Sequence, residues 1–600
     1  MLAKEFGEWC YTSTSRDVKT FRDRVEAEGM SFMTITLPSF GTAFEQCLDK
    51  GCVEPGDFLG FKRSSGPLPR FLGGFLAQCF DRQSGMIRVD INVDSVNAVR
   101  QLTKVFGKLE LQCADHRVRA AFNKFVDIEL EVQSATTAVG PSDFDRLARI
   151  SAHLFGDVFS RLSKEIYEGD LSPRHGGGAT AEKLSSNGRF KQLVWPSRLE
   201  SVFPYVEYAL PSPSYYQELD HVYFPDPVDE LPVRVVHVTK TQKAPRIIAI
   251  EPACMQYMQQ AIMRPLVNLL ESEVVPGFTR INSCYSMIGF TDQDPNKELA
   301  HRGSLHGDLA TLDLSDASDR VSVLHVEALL RNFPSLLEAF LAVRSTRADV
   351  PGHGVVTLSK YASMGSALCF PVEAMIFLAV VFLGMCEEES PADLRREILS
   401  YKGRVRVYGD DIIVPVDKVN GVIAALELFG FKVNASKSFW TGRFRESCGG
   451  DYYAGVDVTP VRLKHVVLPS HAASSEVFSL VEFRNHLYQR GMWKTAYWLD
   501  SQIAPALWGY YPYVESTSQI VGRHSFLGIE PVERIDKYTH NGLVKGWRSV
   551  PKPPVDELDD WPALLKFFLK TGNDPLNKDH LKRQGRDRAA GTKLGWQPPY

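Results

Sequence analysis

Two aspartates stand side by side in Tyr408-Gly409-Asp410-Asp411, flanked by Arg404-Val405-Arg406-Val407 and Ile412-Ile413-Val414. The apolar alternation on either side reads as half-buried strand, and Gly-Asp between two strands reads as a tight hairpin turn. Such a turn holds two carboxylates at its tip. Adjacent carboxylates repel unless a cation lies between them or one is protonated. Oxygen-only donors of this kind suit a hard cation such as Mg²⁺. A solvated Asp-Asp turn is the plain alternative, and the neighbouring sequence argues against it.

About a hundred residues upstream runs Leu309-Ala310-Thr311-Leu312-Asp313-Leu314-Ser315-Asp316-Ala317-Ser318-Asp319. Ala310, Leu312 and Leu314 alternate on one strand face, which sets Asp313 on the other, near the strand end. A strand ending in one carboxylate and a hairpin carrying two more meet the needs of nucleotidyl transfer. Three carboxylates on two strands can hold two metal ions roughly 3.5–4 Å apart. Asp316 reads as a cap for the helix beginning near Val321, since Ser315 to Asp319 is rich in capping residues. Asp319 reads as a second cap or as a group that meets a ribose hydroxyl.

Three further stretches carry candidate chemistry. Arg234, His237, Lys240, Lys243 and Arg246 recur at intervals of three within a Val-rich extended run. Lys240, Lys243 and Arg246 on such a strand would supply preorganised positive charge to a triphosphate, against the alternative of an exposed basic edge strand. Lys437 follows Gly430, which ends a helix expected from Val422 to Phe429. A lysine there can protonate a departing pyrophosphate. His175-Gly176-Gly177-Gly178-Ala179-Thr180, with Lys183, Arg189 and Lys191, is a Gly-rich basic loop that could approach a phosphate backbone or be plain surface.

In this order the motifs resemble those of the RNA-directed RNA polymerase catalytic subunit (replicase beta chain) of leviviruses, the single-stranded RNA bacteriophages. Ala310 to Ser315 with Ala317-Ser318-Asp319 resembles the family's motif A. Ser363-Met364-Gly365 followed by Glu373 resembles motif B, Tyr408 to Asp411 motif C, and Asn434 to Phe439 motif D. Phe444 to Gly449, continuing to Gly455-Val456-Asp457-Val458, is similar to a family signature, and Lys243 to Pro252 to the fingers motif that meets the triphosphate. The likeness covers about residues 234–465, and the last hundred residues resemble no element of it. Motif B departs from the family pattern at Cys369, where a threonine is usual, while Ser363 and Gly365 remain for a loop that bends against the template.

The resemblance implies an α+β, right-handed polymerase of fingers, palm and thumb, with an antiparallel palm sheet. It divides the chain into 1–230 (N-terminal region and part of the fingers), 231–300 (fingers with the triphosphate motif), 301–465 (palm) and 466–600 (thumb and C-terminal region). The catalytic set implied is Asp313, Asp410, Asp411 and Lys437, the three aspartates also binding metal. Substrate contacts fall to Lys240, Lys243, Arg246, Asp319, Ser363 and Gly365. Two Mg²⁺ ions are the implied cofactors, with Mn²⁺ as a substitute. The implied partners are RNA template and product, ribonucleoside triphosphates, the host elongation factors Tu and Ts and a host ribosomal protein, in the bacterial host cytoplasm. The activity implied is replication and transcription of a phage positive-strand RNA genome. A reverse transcriptase-like polymerase and a non-catalytic RNA-binding subunit are the other two readings of the paired aspartates.

Composition is compatible with this and does not demand it. The 600 residues can build several subdomains, and a net charge of −4 excludes only a uniformly basic binder. Ten cysteines without a CxxC pair read as reduced thiols rather than as a zinc site or disulfide framework. The N-terminus does not read as a signal peptide. Ala367 to Cys386 is long enough to span a bilayer, but Glu373 and Pro371 within it favour a buried helix, so no membrane partner is expected. Pro551-Lys552-Pro553-Pro554 reads as a late boundary, Trp561 to Leu569 as an amphipathic helix, and Lys578 to Lys593 as a basic tail, either solvated or RNA-binding.

Overall fold

A computed structural model describes residues 1–63, 66–386, 391–465, 474–552, 556–571 and 588–600. Helix and sheet are mixed throughout. The elements that matter below begin with α1 (Leu2–Trp9), α2 (Leu37–Lys50), α3 (Val93–Lys104), α4 (Asp115–Ala138) and α5 (Pro141–Tyr167). Next come β1 (Val233–Val238), β2 (Arg246–Ile250), α6 (Ala253–Leu270), α7 (Asp294–His306), β3 (Leu309–Leu312) and β4 (Leu314–Ser315). They are followed by α8 (Val323–Leu329), β5 (Arg347–Val350), β6 (Gly354–Thr357), α9 (Cys369–Met385), β7 (Arg406–Tyr408), β8 (Asp411–Pro415), α10 (Val419–Leu428) and β9 (Lys432–Val433). The rest are β10 (Phe444–Ser447), β11 (Gly450–Tyr453), β12 (Val456–Asp457), α11 (Ser474–Gln489), α12 (Trp493–Ala506), β13 (Arg534–Ile535), β14 (Gly542–Lys552), α13 (Asp560–Thr571) and β15 (Arg588–Gln597).

The sheet that positions the aspartates is antiparallel, in the order β3-β8-β7. Its strands are buried on both faces, not half-buried as alternation suggested: Leu309 to Leu312 and Ile412 to Pro415 are all buried. Even Arg406 is buried, its Nε donating to Asn296 Oδ1 at 2.8 Å and its Nη1 to the Ser286 carbonyl at 2.9 Å. α9 and α7 explain the double burial, α7 lying against β3, β7 and β8 and α9 against the hairpin. α9 is apolar all round, the signature of a core helix, and it joins α5, α6, α8 and α10 in one hydrophobic core with this sheet. The expected burial of Ala367 to Cys386 therefore holds, and among the described residues no helix is long and apolar enough to cross a membrane.

A second core joins the two ends of the chain. Phe6, Phe40, Phe44 and Val99, from α1 to α3, pack with Phe439, Phe444, Leu480, Leu487 and Leu499. At this seam Glu5 accepts hydrogen bonds from the Lys494 and Thr495 amides at 2.8 and 2.9 Å. Beneath it, Arg100 is buried between Glu45 and Asp451, so the charges of α2, α3 and β11 compensate one another. A third, smaller core seats Phe122 and Phe125 of α4 on the sheet β2-β1-β5-β6.

Several expectations need correction. The basic run from Arg234 to Arg246 is not one strand but a hairpin, with Val238 paired to Arg246 and Lys240 and Lys243 in the connection. Nor is β1 an edge: it lies between β2 and β5. The loop from His175 to Thr180 divides its basic residues: Lys183 and Lys191 are exposed, while Arg189 is not. His175 stacks on Tyr257 with ring centroids 4.6 Å apart, and the buried Arg189 donates to the Gly176 and Gly178 carbonyls. Asp316 caps no helix. It adopts a left-handed φ of 53° and pairs with Lys124 at 2.7 Å, while Ser322 and His325 form the capping box of α8. Pro551 and Lys552 are not a boundary, since they end β14, and 588–593 is strand paired to β14 rather than tail. The remaining positions of those two expectations, 553–554 and 578–587, lie outside the described residues. Helix α13 matches the expected Trp561 to Leu569, and α10 begins three residues before the expected Val422.

Candidate active site

β7 and β8 are joined by a two-residue loop: Tyr408 pairs with Asp411, and Gly409 and Asp410 make the turn. Gly409 has φ +61°, and a Cβ there would lie 2.3 Å from the Phe370 ring, so the turn admits glycine alone. Asp410 is exposed at the tip, while Asp411 is partly covered and its Oδ2 accepts from the Cys448 amide at 3.1 Å. Asp313 leaves the end of β3, which pairs directly with β8. Its carboxylate accepts from Asn434 Nδ2 at 2.8 Å and from Lys437 Nζ at 3.2 Å.

These carboxylates feel one another. Burial, then the charges of Asp410 and Asp313, push the Asp411 carboxyl up to about 7, against the hydrogen bond from Cys448. Burial also raises Asp313, with Asp410 adding to the rise and Lys437 and Asn434 opposing it. Burial lowers Lys437, but Asp313, Glu446 and Asp410 together outweigh it, so its ammonium stays above the usual lysine range and fully charged near neutral pH. Lys240 is crowded at its head: loss of solvent, Arg246 and Lys437 pull it below the usual range while Asp410 opposes them. Asp313, Asp410, Asp411, Lys437, Lys240 and Arg246 thus form one electrostatic neighbourhood.

The other candidate residues are arranged around it. Lys243 is exposed in the β1–β2 connection, and no contact ties it to the aspartates among the described residues. Ser363 is buried, its hydroxyl without a hydrogen-bond partner among the described residues. Met364 accepts from the Ala249 amide at 2.8 Å, tying this turn to β2. Gly365 has φ +134° and a Cβ would fall 1.8 Å from the Ala249 carbonyl oxygen, so no side chain fits without parting turn and strand. Cys369 begins α9 buried, within hydrogen-bonding reach of Ser318. Asp319 pairs through Oδ1 with Lys360 Nζ at 2.9 Å.

Sequence reasoning missed Lys108, Glu446, Lys360 and Glu129. Lys108 and Glu446 lie within electrostatic reach of Lys437. Glu446 lies inside the Phe444–Gly449 signature, which by itself assigns it no role, and the other three stand in no spacing that marks them, because each is brought in by tertiary packing.

The donor set tests well for a divalent cation. It is all carboxylate oxygen, and the mutual repulsion just described is what such a cation relieves. Among the described residues no three of His, Cys, Asp or Glu are gathered tightly enough to hold a metal as they stand. Lys437 fills that role beside Asp313.

Glu373, buried in α9, gives a pH-dependent expectation. Burial pushes its carboxyl up to about 8, Asp410 and Asp319 adding to this and the Ser318 hydroxyl opposing it. An acid raised in the folded state contributes stability below its unfolded value near 4.5 and loses it as pH climbs towards 8. Glu373→Gln cannot ionise. In metal-free buffer it should melt above the wild type, with the advantage growing between pH 5 and 8 by up to about 1.4 kcal/mol per pH unit. Melting curves that stay parallel across that range would refute the buried, protonated assignment.

Mixed helix and sheet thus bring three carboxylates together, one at the end of β3 and two on the β7–β8 hairpin. Residues 230–495 match the family described as RNA replicase, beta-chain, and the likeness read from the motifs is borne out over this stretch. The chain is 36% identical over 239 residues to the RNA-directed RNA polymerase subunit beta of Qbeta virus (strain MX1), covering 40% of this chain and 36% of that one. It is 33% identical over 364 residues to the protein of the same name from Escherichia virus Qbeta, covering 59% of this chain and 53% of that one. The chain thus spans about half, or less, of the length of these relatives. Among solved structures, the BmCPV RNA-dependent RNA polymerase at elongation state overlaps 60% of this chain and 33% of that one, with a TM-score of 0.35 and 11% identity.

Proposed function

We propose that this chain is an RNA-directed RNA polymerase that copies a phage positive-strand RNA genome. The observation that carries the reading is the convergence of Asp313 with Asp410 and Asp411, across paired strands, inside the stretch that matches the replicase family. On this reading the β3-β8-β7 sheet is the palm, residues 231–300 belong to the fingers with part of 1–230, 301–465 is the palm region, and 466–600 contributes the thumb. Asp313, Asp410 and Asp411 would hold two Mg²⁺ ions, with Mn²⁺ as a substitute, which when bound supply an acidified primer hydroxyl and neutralise the triphosphate.

The chain's own side chains do the rest. Arg246 and Lys240, with Lys243 reaching from the hairpin connection, bind the triphosphate and hold it in line. Lys437 carries a proton at Nζ for the departing pyrophosphate. The Ser363–Gly365 turn supports the template against β2. Host elongation factors Tu and Ts, a host ribosomal protein and the bacterial cytoplasm belong to this reading through the family resemblance.

Asp319 is the proposed reader of the ribose. A deoxynucleotide would leave its acceptor unpaired, and an unsatisfied buried group costs roughly 1–3 kcal/mol, or about 5- to 150-fold in discrimination. Asp319→Ala should lose ribonucleotide efficiency and narrow the gap to deoxynucleotides. Measuring kcat/KM for both sugars, beside the melting temperature, checks this; intact discrimination in a less stable variant would make Asp319 purely structural.

The reading is tested with the purified chain, a primed RNA and four ribonucleoside triphosphates, with and without host lysate. Mg²⁺-dependent extension is expected. Preferential use of deoxynucleotides would favour the reverse transcriptase reading, and no extension under any condition would favour a non-catalytic RNA-binding subunit.

A further inference from the structure

Lys360 has no exposed surface. Its backbone is fixed on both sides: Val323 donates to the Ser359 carbonyl at 3.1 Å and Tyr361 to the Val321 carbonyl at 2.8 Å. The side chain is thereby directed from the strand-like segment after β6 across to the turn that carries Asp319. Nζ lies 2.9 Å from Asp319 Oδ1, 2.9 Å from Glu129 Oε1 and 3.5 Å from the centroid of the Phe125 ring. Glu129 is itself committed, its Oε2 accepting from the Ser359 amide at 2.7 Å. The triad joins α4, the motif that contains Asp313, and the segment leading to Ser363.

A buried lysine costs free energy unless its charge is matched, and two carboxylates leave the triad with one net negative charge. Glu129 alone would neutralise Lys360. Asp319 is then the surplus anion, and Lys360 holds it through Oδ1 only; Oδ2 makes no hydrogen bond among the described residues. A carboxylate clamped by one oxygen and open at the other is a preorganised acceptor.

We propose that Lys360 is a positioning residue for sugar selection, holding Asp319 so that its second oxygen meets the 2′-hydroxyl of the incoming nucleotide, with Glu129 of α4 as the anchor. This rests on the polymerase reading given above. Lys360 does not touch substrate and acts only through Asp319.

The test measures kcat/KM for a ribonucleotide and its deoxy counterpart on a primed RNA in the full chain. Lys360→Met removes the clamp but strands two buried carboxylates. The double variant Lys360→Met with Glu129→Gln keeps the net charge of the triad and serves if the single variant does not fold. In whichever folds, the ribo-to-deoxy ratio should fall by about fivefold or more, through a raised KM for the ribonucleotide, with deoxynucleotide kcat/KM changed by less than about twofold. Glu129→Gln alone loosens the anchor but leaves the Asp319–Lys360 contact, so it should lower the ratio by less than the double variant does. An unchanged ratio in the double variant, or equal losses for both sugars, would overturn the positioning role while leaving the polymerase reading intact. A wild-type chain that adds neither nucleotide would overturn both.

Discussion

Asp313→Asn and Asp410→Asn should each slow nucleotide addition on a primed RNA by at least about a hundredfold while RNA binding is retained. Each substitution keeps the volume and removes one charge from a site whose carboxylates already repel. Asp313 loses most, because its charge also holds Lys437 at 3.2 Å. Asp411→Asn should cost less. Its Oδ2 is occupied by the Cys448 amide, and burial with the two neighbouring charges lifts it to about 7, so it is the readiest of the three to give up its charge. Single-turnover extension in Mg²⁺, beside a filter-binding measurement with the same RNA, checks the set. Near-normal extension by Asp410→Asn would end the catalytic assignment.

Lys437→Met should lower the single-turnover rate by about 10²–10⁴-fold, the span general acid catalysis supplies. Burial works against its proton, and Asp313, Glu446 and Asp410 more than restore it, so Lys437 holds that proton near neutral pH and loses it only well into alkali. Lys437→Arg separates two explanations. Arginine keeps the charge but does not release its proton, so it should bind triphosphate with little change in KM and still fail in rate. If Lys437→Arg restores most of the wild-type rate, Lys437 serves as fixed charge and not as an acid.

Local chemistry was legible in the sequence wherever one segment determines its own shape. Gly409 and Asp410 between two apolar runs form a hairpin loop because nothing but glycine fits against Phe370. The run from Ala367 to Cys386 is buried because its apolar residues leave no polar face. The Arg234–Arg246 run failed as a single strand because spacing by three cannot distinguish one long strand from a hairpin whose connection falls between Val238 and Arg246. Asp316 failed as a cap because Ser322, six residues on, offers the better capping box with His325. Arg189 failed as a phosphate contact because its guanidinium is spent on the loop's own carbonyls. Lys360 and Glu129 were illegible for a different reason: they lie 231 positions apart and gain meaning only through Asp319. The β7–β8 hairpin followed from the pattern, whereas the burial of its sheet on both faces depends on α9 and α7, which no local period announces.

The seam at Glu5 also bears on how the chain is made. α1 cannot bury Phe6 in its final place until the segment from Leu480 to Leu499 has been synthesised. At roughly 5–20 residues per second, that leaves the opening helices without their partner for on the order of 25–100 s. Through that interval Phe40 and Phe44 already meet Phe58, Phe71 and Phe80, whereas α1 lacks its far partner, and contacts of such long sequence separation are slow to form. A product ending before Leu480 would therefore keep the packing among α1, α2 and α3 and leave Glu5 without the amides of Lys494 and Thr495.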